Sequence, residues 1–564
     1  MPNTFYLSRY VFCGLIWLCA SCNKPGNTST SVERRPNIVI IMADDLGFSD
    51  LGCYGGEILT PNLDSIASRG LRFTQFYNAG RCCPTRAALL TGLYPHQAGI
   101  GRMTMDTGKP GYRGFLTPNT VTIAEALRSA GYQTGMVGKW HVSQTQERSS
   151  EEQLRWLSHQ EQFGPFSDTA QYPTARGFDR FFGNIWGVVD YFDPFSLVNG
   201  TAEVTAVPPN YYHTDAISDT AVAYLEKFAQ QDKPFFLYVA HTAPHWPLHA
   251  LEEDINKYER VYQKGWEQIR RDRYQRMLQL GLFDSASAPL AAWMFPGKSW
   301  ADDQNAKWDA RAMAVHAAMV DRMDEGVGRL VAKLKELHQL DNTLIVFLSD
   351  NGASNEDPAQ YGPGFDRAGN TRDGRRVSFP LVKSPDNMPG PETVHAGIGP
   401  QWAHTANTPF RYWKAKTMEG GICTPFLAQW PAGMRKTGTI TNSMAHVIDL
   451  MPTCMEIAHA VYPSSYKGSK ITPQAGTSLL PILINGARSA PDAIFWEHFG
   501  SKALRQGKWK LVQLSNEQPW ELFDLDLDRT EMNNVAQQFP DVVTRMQRKW
   551  EEMAKASQVY PLPD

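Results

Sequence analysis

Several things are scarce in this chain, and each scarcity excludes something. Long apolar runs are missing. The run Val11–Ala20 has ten residues, about half of what a membrane-spanning helix needs, and no later stretch is longer and equally apolar. Excess charge is missing too. Lys and Arg total 55 against 58 Asp and Glu, for a net charge of -3, so there is no basic footprint for nucleic acid. Cysteine is sparse and unpaired in spacing. Of the eight cysteines, the five beyond the N-terminal segment, Cys53, Cys82, Cys83, Cys423 and Cys454, include no CxxC pair, which argues against a zinc cluster and a dense disulfide framework. There are no internal repeats. What remains is an ordinary globular composition, 42% hydrophobic and 20% charged over 564 residues, long enough for one large domain and a smaller one. The 16 Trp and 21 Tyr suit a carbohydrate ligand and a large core equally well.

The N-terminus reads as a targeting segment. Arg9 precedes the apolar run, which ends Leu18-Cys19-Ala20-Ser21-Cys22. That pattern fits a signal peptide over 1–22 and resembles a bacterial lipobox with Cys22 as the lipidated residue. Lipid attachment and simple cleavage both remain open. Residues 23–35, rich in Asn, Ser, Thr, Pro and Gly, read as a tether. The expectation is an exported protein of the periplasm or cell surface, with membrane association only through a lipid anchor at Cys22. The oligomeric state is not legible.

Three stretches, Pro36–Ala43, Pro234–Ala240 and Thr343–Ser349, are continuous apolar runs without alternation. They predict strands buried on both faces, and so a mostly parallel sheet. A shorter strand is expected over Tyr132–His141, and helices over Pro61–Gly70, Thr122–Ala130, Ala310–Leu337 and Ala445–Ala460. Polar residues follow the strands: Asp44 and Asp45, His241 and His245, Asp350 and Asn351. In open α/β sheets ligands bind at that carboxyl edge. Residues 251–309 read as a helical excursion. Residues 353–408 read as a long irregular segment, a length usually reserved for function. From about Ile494 short antiparallel strands and a helix are expected. The predicted domains are therefore 36–487 and 488–564. The predicted fold is α/β, a large mixed, mostly parallel sheet between helices, with a smaller C-terminal α+β subdomain.

The stretch Cys82-Cys83-Pro84-Thr85-Arg86-Ala87-Ala88-Leu89-Leu90-Thr91-Gly92 enters a helix. Pro84 suits the first turn, and a Cys at the positive end of the dipole is a candidate reactive centre. The spacing Cys-x-Pro-x-Arg, four residues, Thr-Gly resembles the signature of the type I sulfatases of the alkaline phosphatase superfamily. In that family the Cys is oxidised to formylglycine (3-oxoalanine) by a maturing enzyme. Pro84 and Arg86 place the family position on Cys82, with Cys83 in the variable slot, an unusual occupant. Arylsulfatase-like features extend over nearly the whole mature chain, including Ala175–Asp179, Met319–Asp324, Trp496–His498 and Gly507–Val512.

The resemblance assigns the other residues. Asp44, Asp45, Asp350 and Asn351 offer hard oxygens suited to Ca²⁺ or Mg²⁺, and by resemblance they hold one Ca²⁺ with the modified Cys82. The run Gly131–His141 resembles the second family signature and implies sulfate binding by Lys139 and proton handling by His141. His245, in Ala-Pro-His-Trp-Pro, corresponds to the general acid that also binds sulfate. Lys414, five residues before Glu419, corresponds to the second sulfate-binding lysine, with Lys416 as its rival. Arg86 favours the ionised nucleophile. The implied reaction is sulfate monoester hydrolysis through a covalent sulfo-formylglycine intermediate.

The implied substrate is a sulfated polysaccharide or oligosaccharide of algal type, such as ulvan, carrageenan or fucoidan. Arg102–Arg113, His249, Trp402 and His404 are the expected sugar contacts. Two rival readings stand beside this one: a phosphate or phosphonate ester hydrolase of the same superfamily, and a non-catalytic glycan-binding lipoprotein.

Overall fold

The computed structural model describes residues 35–563, so the signal, lipobox and most of the tether lie outside the described residues. Residues 35–564 form one compact unit. At its centre is a ten-stranded sheet. Its order is Thr439–Thr441, Leu71–Phe73, Phe426–Gln429, Thr343–Ser349, Asn37–Ala43, Phe235–Ala240, Gln133–Gly138, Arg180–Asn184, Leu197–Asn199 and Ala202–Glu203. The five central strands from Thr343–Ser349 to Arg180–Asn184 run parallel. Phe426–Gln429 and Leu197–Asn199 run antiparallel to the central strands they pair with, and Ala202–Glu203 is antiparallel to Leu197–Asn199.

The Asn37–Ala43 strand shows why the continuous apolar runs form this sheet. Successive side chains point to opposite faces. Val39, Ile41 and Ala43 enter one core cluster, and Ile38, Ile40 and Met42 enter the other. The first cluster packs the helices His213–Ala229 and Ala306–Glu336. The second packs the helix Cys82–Thr91. Both faces are thus covered, as a parallel sheet requires.

Register sets the positions of the strand ends. Ala43 pairs with Ser349, Met42 with Ala240, and Ala240 with Gly138. Four neighbouring strands therefore finish at one level, and the residues that follow them share one edge.

The C-terminal segment forms a four-stranded antiparallel sheet, Ile494–His498, Ser501–Gln506, Trp509–Gln513 and Glu521–Asp524, followed by the helix Pro540–Ala556. A buried charge cluster joins it to the Glu419–Ile422 turn. Lys510 Nζ lies 2.8 Å from Glu419 Oε1 and 2.6 Å from Glu531 Oε1, and Arg529 pairs with Glu419. No helix among the described residues is long and apolar enough to cross a membrane.

One helix starts later than expected. The stretch expected as a helix over Ala445–Ala460 opens with a two-residue strand, Ala445–His446, paired with Phe76–Tyr77. The α-helix runs only from Leu450 to Ile457. His446 explains the delay: its ring accepts from the Ile448 amide and so supports a 3-10 turn first.

Candidate active site

The strand Asn37–Ala43 stops before its two carboxylates. Asp45 adopts a left-handed conformation, φ 66°, which breaks the alternation that would send neighbouring side chains to opposite faces. Asp45 then accepts from Asn351 Nδ2 at 2.6 Å through Oδ1 and from Lys414 Nζ at 3.0 Å through Oδ2. Asp350 follows its strand directly, and its Oδ1 accepts from the Asp45 amide at 3.3 Å. Asp44, Asp45, Asp350 and Asn351 are all buried. The Oδ1 atoms of Asp44 and Asn351 have no hydrogen-bond partner.

Cations surround this oxygen cluster. Lys139, immediately after the Gln133–Gly138 strand, donates to Asp44 Oδ2 at 2.5 Å. Arg86 projects from the Cys82–Thr91 helix, is fully buried, and donates twice to Asp350 Oδ2, at 3.1 and 2.8 Å. Its third contact, at 3.0 Å, is the Lys139 carbonyl. Arg86 thus stands behind the carboxylates as their counter-charge. Burial acts to raise the Asp44 carboxyl, but Lys139, His245 and Arg86 outweigh it and hold it below the usual range. Asp350 goes the other way: burial and then Asp44 push it well above, against Arg86.

Cys82 is the first residue of its helix and is buried. A side-chain hydrogen bond with Cys83, opposed by burial and aided by Lys139 and His141, holds its thiol well below the ordinary value. His141 lies within 4.8 Å of both cysteines. Burial lowers its pKa to about 4. Gly187 backs the ring so closely that an added Cβ would meet it at 2.3 Å.

His245 follows the Phe235–Ala240 strand. Its Nδ1 bonds the Trp246 carbonyl at 2.5 Å, and its Nε2 lies 3.2 Å from Lys414 Nζ. Burial lowers its pKa. Lys414 also donates to Glu356 at 2.9 Å. Burial opposes its charge, yet Asp45 and Glu356 raise its pKa. Lys416 is absent from the cavity wall, whereas Lys414 lines it.

A cavity of about 270 Å³ opens over this group, lined by Cys82, His141, His245 and Lys414 and by Met103, Thr104 and Met105. The structure therefore brings all ten expected site residues to one place. The expected sugar contacts divide. Part of Arg102–Arg113 reaches the cavity, but His249, Trp402 and His404 are buried. Trp402 spends its indole N–H on the Asp309 carbonyl at 2.8 Å.

Two residues come to light only in three dimensions. Glu356 accepts from Lys414, from Arg81 at 2.7 Å and from the Trp246 indole at 3.0 Å. Arg81 sits beside Cys82 and lines the same cavity. Neither belongs to a recognisable spacing.

A family model described as Sulfatase matches residues 36–460. The chain belongs to the sulfatase family. It is a type I sulfatase of the alkaline phosphatase superfamily, a sulfuric ester hydrolase. A second model, N-sulphoglucosamine sulphohydrolase, C-terminal, matches residues 410–556. An uncharacterized sulfatase of Schizosaccharomyces pombe is 32% identical over 94% of this sulfatase and 96% of the relative. The arylsulfatase of Klebsiella aerogenes is 32% identical over 81% and 94%. Among solved structures, Ps i-CgsB in complex with k-i-k-neocarrahexaose superposes with a TM-score of 0.61 at 27% identity, covering 93% of both chains. The phosphonate monoester hydrolase of Agrobacterium radiobacter, at 19% identity and a TM-score of 0.53, shares the fold.

Proposed function

We propose that this sulfatase removes sulfate from a sulfated carbohydrate, with Cys82 carrying the nucleophile. The observation that supports this most is the cavity floor. Lys414, His141 and His245 line it with Cys82, and Lys139 stands behind them on Asp44, in a cluster of hard oxygens two of which lack any hydrogen-bond partner.

Those two atoms test the fit of a metal. A buried polar atom without a partner costs about 1–3 kcal/mol, and Asp44 and Asn351 each carry one. An all-oxygen set of three carboxylates and one amide suits Ca²⁺. Asp44, Asp45, Asp350 and Asn351 would hold the ion, which when bound supplies positive charge for the sulfate oxygens. Formylglycine at residue 82, as its hydrate, would supply an oxygen nucleophile for sulfur and a second hydroxyl whose deprotonation releases sulfate.

The chain's own groups do the rest. Lys139 and Lys414 bind the sulfate anion from two sides and neutralise charge as it develops. His141, neutral because it is buried, accepts the proton on the side of residue 82. With Nδ1–H donating to the Trp246 carbonyl, His245 presents Nε2 to the leaving oxygen. An anionic substrate beside it favours the protonated ring, so His245 Nε2 delivers the proton to the departing alkoxide. Arg86, bonded to Asp350 and to the Lys139 carbonyl, holds the carboxylates in place.

The cavity wall supports a sugar. Tyr361 and Phe365 offer exposed ring faces, with Trp186 stacked beneath Phe365, and Asp366 and Arg367 offer polar groups beside them. This mixture of apolar faces and a few polar anchors suits a carbohydrate. Ps i-CgsB, of like fold, was solved with k-i-k-neocarrahexaose.

The test is sulfate release from a panel of defined sulfated oligosaccharides of the ulvan, carrageenan and fucoidan types, with a phosphate monoester alongside. Turnover of at least one sulfate ester, abolished in Cys82→Ala, is expected. A faster phosphate ester would overturn the assignment.

A further inference from the structure

Away from Cys82, three side chains from distant segments converge. Asp190 follows the Arg180–Asn184 strand, His249 lies beyond the Phe235–Ala240 strand, and His395 belongs to the long 353–408 segment. One donor atom from each lies within 4.8 Å of the other two.

The hydrogen bonds leave the right atoms free. His249 Nε2 donates to the Val394 carbonyl at 3.2 Å. That fixes its tautomer and leaves a lone pair on Nδ1, as the outer contacts of a ligating histidine do. This Nδ1 is buried without a hydrogen-bond partner and stands 3.5 Å from Asp190 Oδ2. The other Asp190 oxygen is already committed, accepting from the amides of Phe192 at 2.7 Å and Asp193 at 3.0 Å. His395 likewise has a buried Nδ1 with no partner. A plain hydrogen-bonded cluster would pair such atoms at 2.7–3.2 Å; here Asp190 and His249 stand further apart, at 3.5 Å, and the two buried imidazole Nδ1 atoms have no partner.

We propose that Asp190, His249 and His395 form a second metal site, which takes a divalent transition-metal cation of the Zn²⁺ type. Two imidazole nitrogens and one carboxylate are a zinc donor set, quite unlike the all-oxygen cluster at Asp44. Ligands at about 2.0–2.1 Å in a tetrahedral shell stand roughly 3.4 Å apart, close to the Asp190–His249 separation. The Phe192 and Phe379 rings pack against the two histidines.

A small cavity of about 30 Å³, lined in part by Asp190 and His395, gives access. Val188 and Asp366 line both that cavity and the one over Cys82. The ion therefore pins the 353–408 segment to the sheet-edge loops at the rim of the active site.

The test uses full-length protein stripped with a chelator, reloaded with Ca²⁺, and titrated with Zn²⁺ against a chromophoric competitor. One equivalent of Zn²⁺ per chain and a raised Tm are expected. Asp190→Asn and His395→Ala should each weaken Zn²⁺ binding by roughly a hundredfold or more, while Cys82→Ala keeps the equivalent. Asp190 is partly exposed, so its variant reports on binding if a buried-histidine variant fails to fold. No uptake by the wild type, unchanged uptake in both ligand variants, or loss of the equivalent in Cys82→Ala would each overturn the proposal.

Discussion

The Lys414 ammonium and the His245 imidazole face each other at 3.2 Å, Nζ to Nε2, across the wall of the catalytic cavity. They arrive from segments 169 residues apart in sequence, and Asp45 lies against both, at 3.0 Å from Lys414 and 3.5 Å from His245. In Lys414→Ala, kcat/KM should fall by about 10²–10³. Lys416→Ala should stay close to wild type. Equal losses in steady-state assays of the two variants would contradict the placement.

Glu356 holds Lys414, Arg81 and Trp246 together. Hydrogen bonds to charged groups contribute about 1.5–3 kcal/mol each, so Glu356→Gln should lower kcat/KM by roughly ten- to a hundredfold. Circular dichroism should show an intact fold. An unchanged kcat/KM would remove Glu356 from the site.

Gly187 leaves no room for a side chain against His141. Gly187→Ala should displace the ring and cut kcat about 10²-fold, the scale of one acid–base group. Its Tm should move little. If kcat holds, the close packing of Gly187 does not position His141.

His141 must be neutral to accept a proton. Burial places its pKa at about 4, so the base form persists as pH falls through the ordinary histidine value of about 6.5. The acid limb of kcat/KM due to this group should be centred near pH 4. A pH–rate profile with that limb at 6.5 or above would show that His141 is not the base, or is not shielded from water.

Much of this architecture was legible in the sequence because it depends on short-range pattern. Asn37–Ala43 and Thr343–Ser349 are apolar without alternation, and such strands pack on both faces. Their exits then mark the site, since a parallel sheet finishes its strands together. Glu356 and Arg81 were not legible. Glu356 is a single charge in the long 353–408 segment, which no periodicity records, and Arg81 is the residue that caps the Cys82–Thr91 helix, just outside the signature. Trp402 and His404 misled for a related reason. Their surroundings read as loop, yet they fall on the helix Gly399–Ala406, which is buried all round from Trp402 to Ala406. At Ala445–His446, pairing with Phe76–Tyr77 overrides a helical composition.

The central claim is that residue 82 acts as formylglycine in a sulfate-ester hydrolase. The most direct measurement takes one preparation, maps the mass of the peptide containing residue 82, and assays sulfate release from the oligosaccharide panel. The account predicts formylglycine at residue 82 together with release that disappears in Cys82→Ala. Confirmed formylglycine with no turnover of any sulfate ester would contradict it.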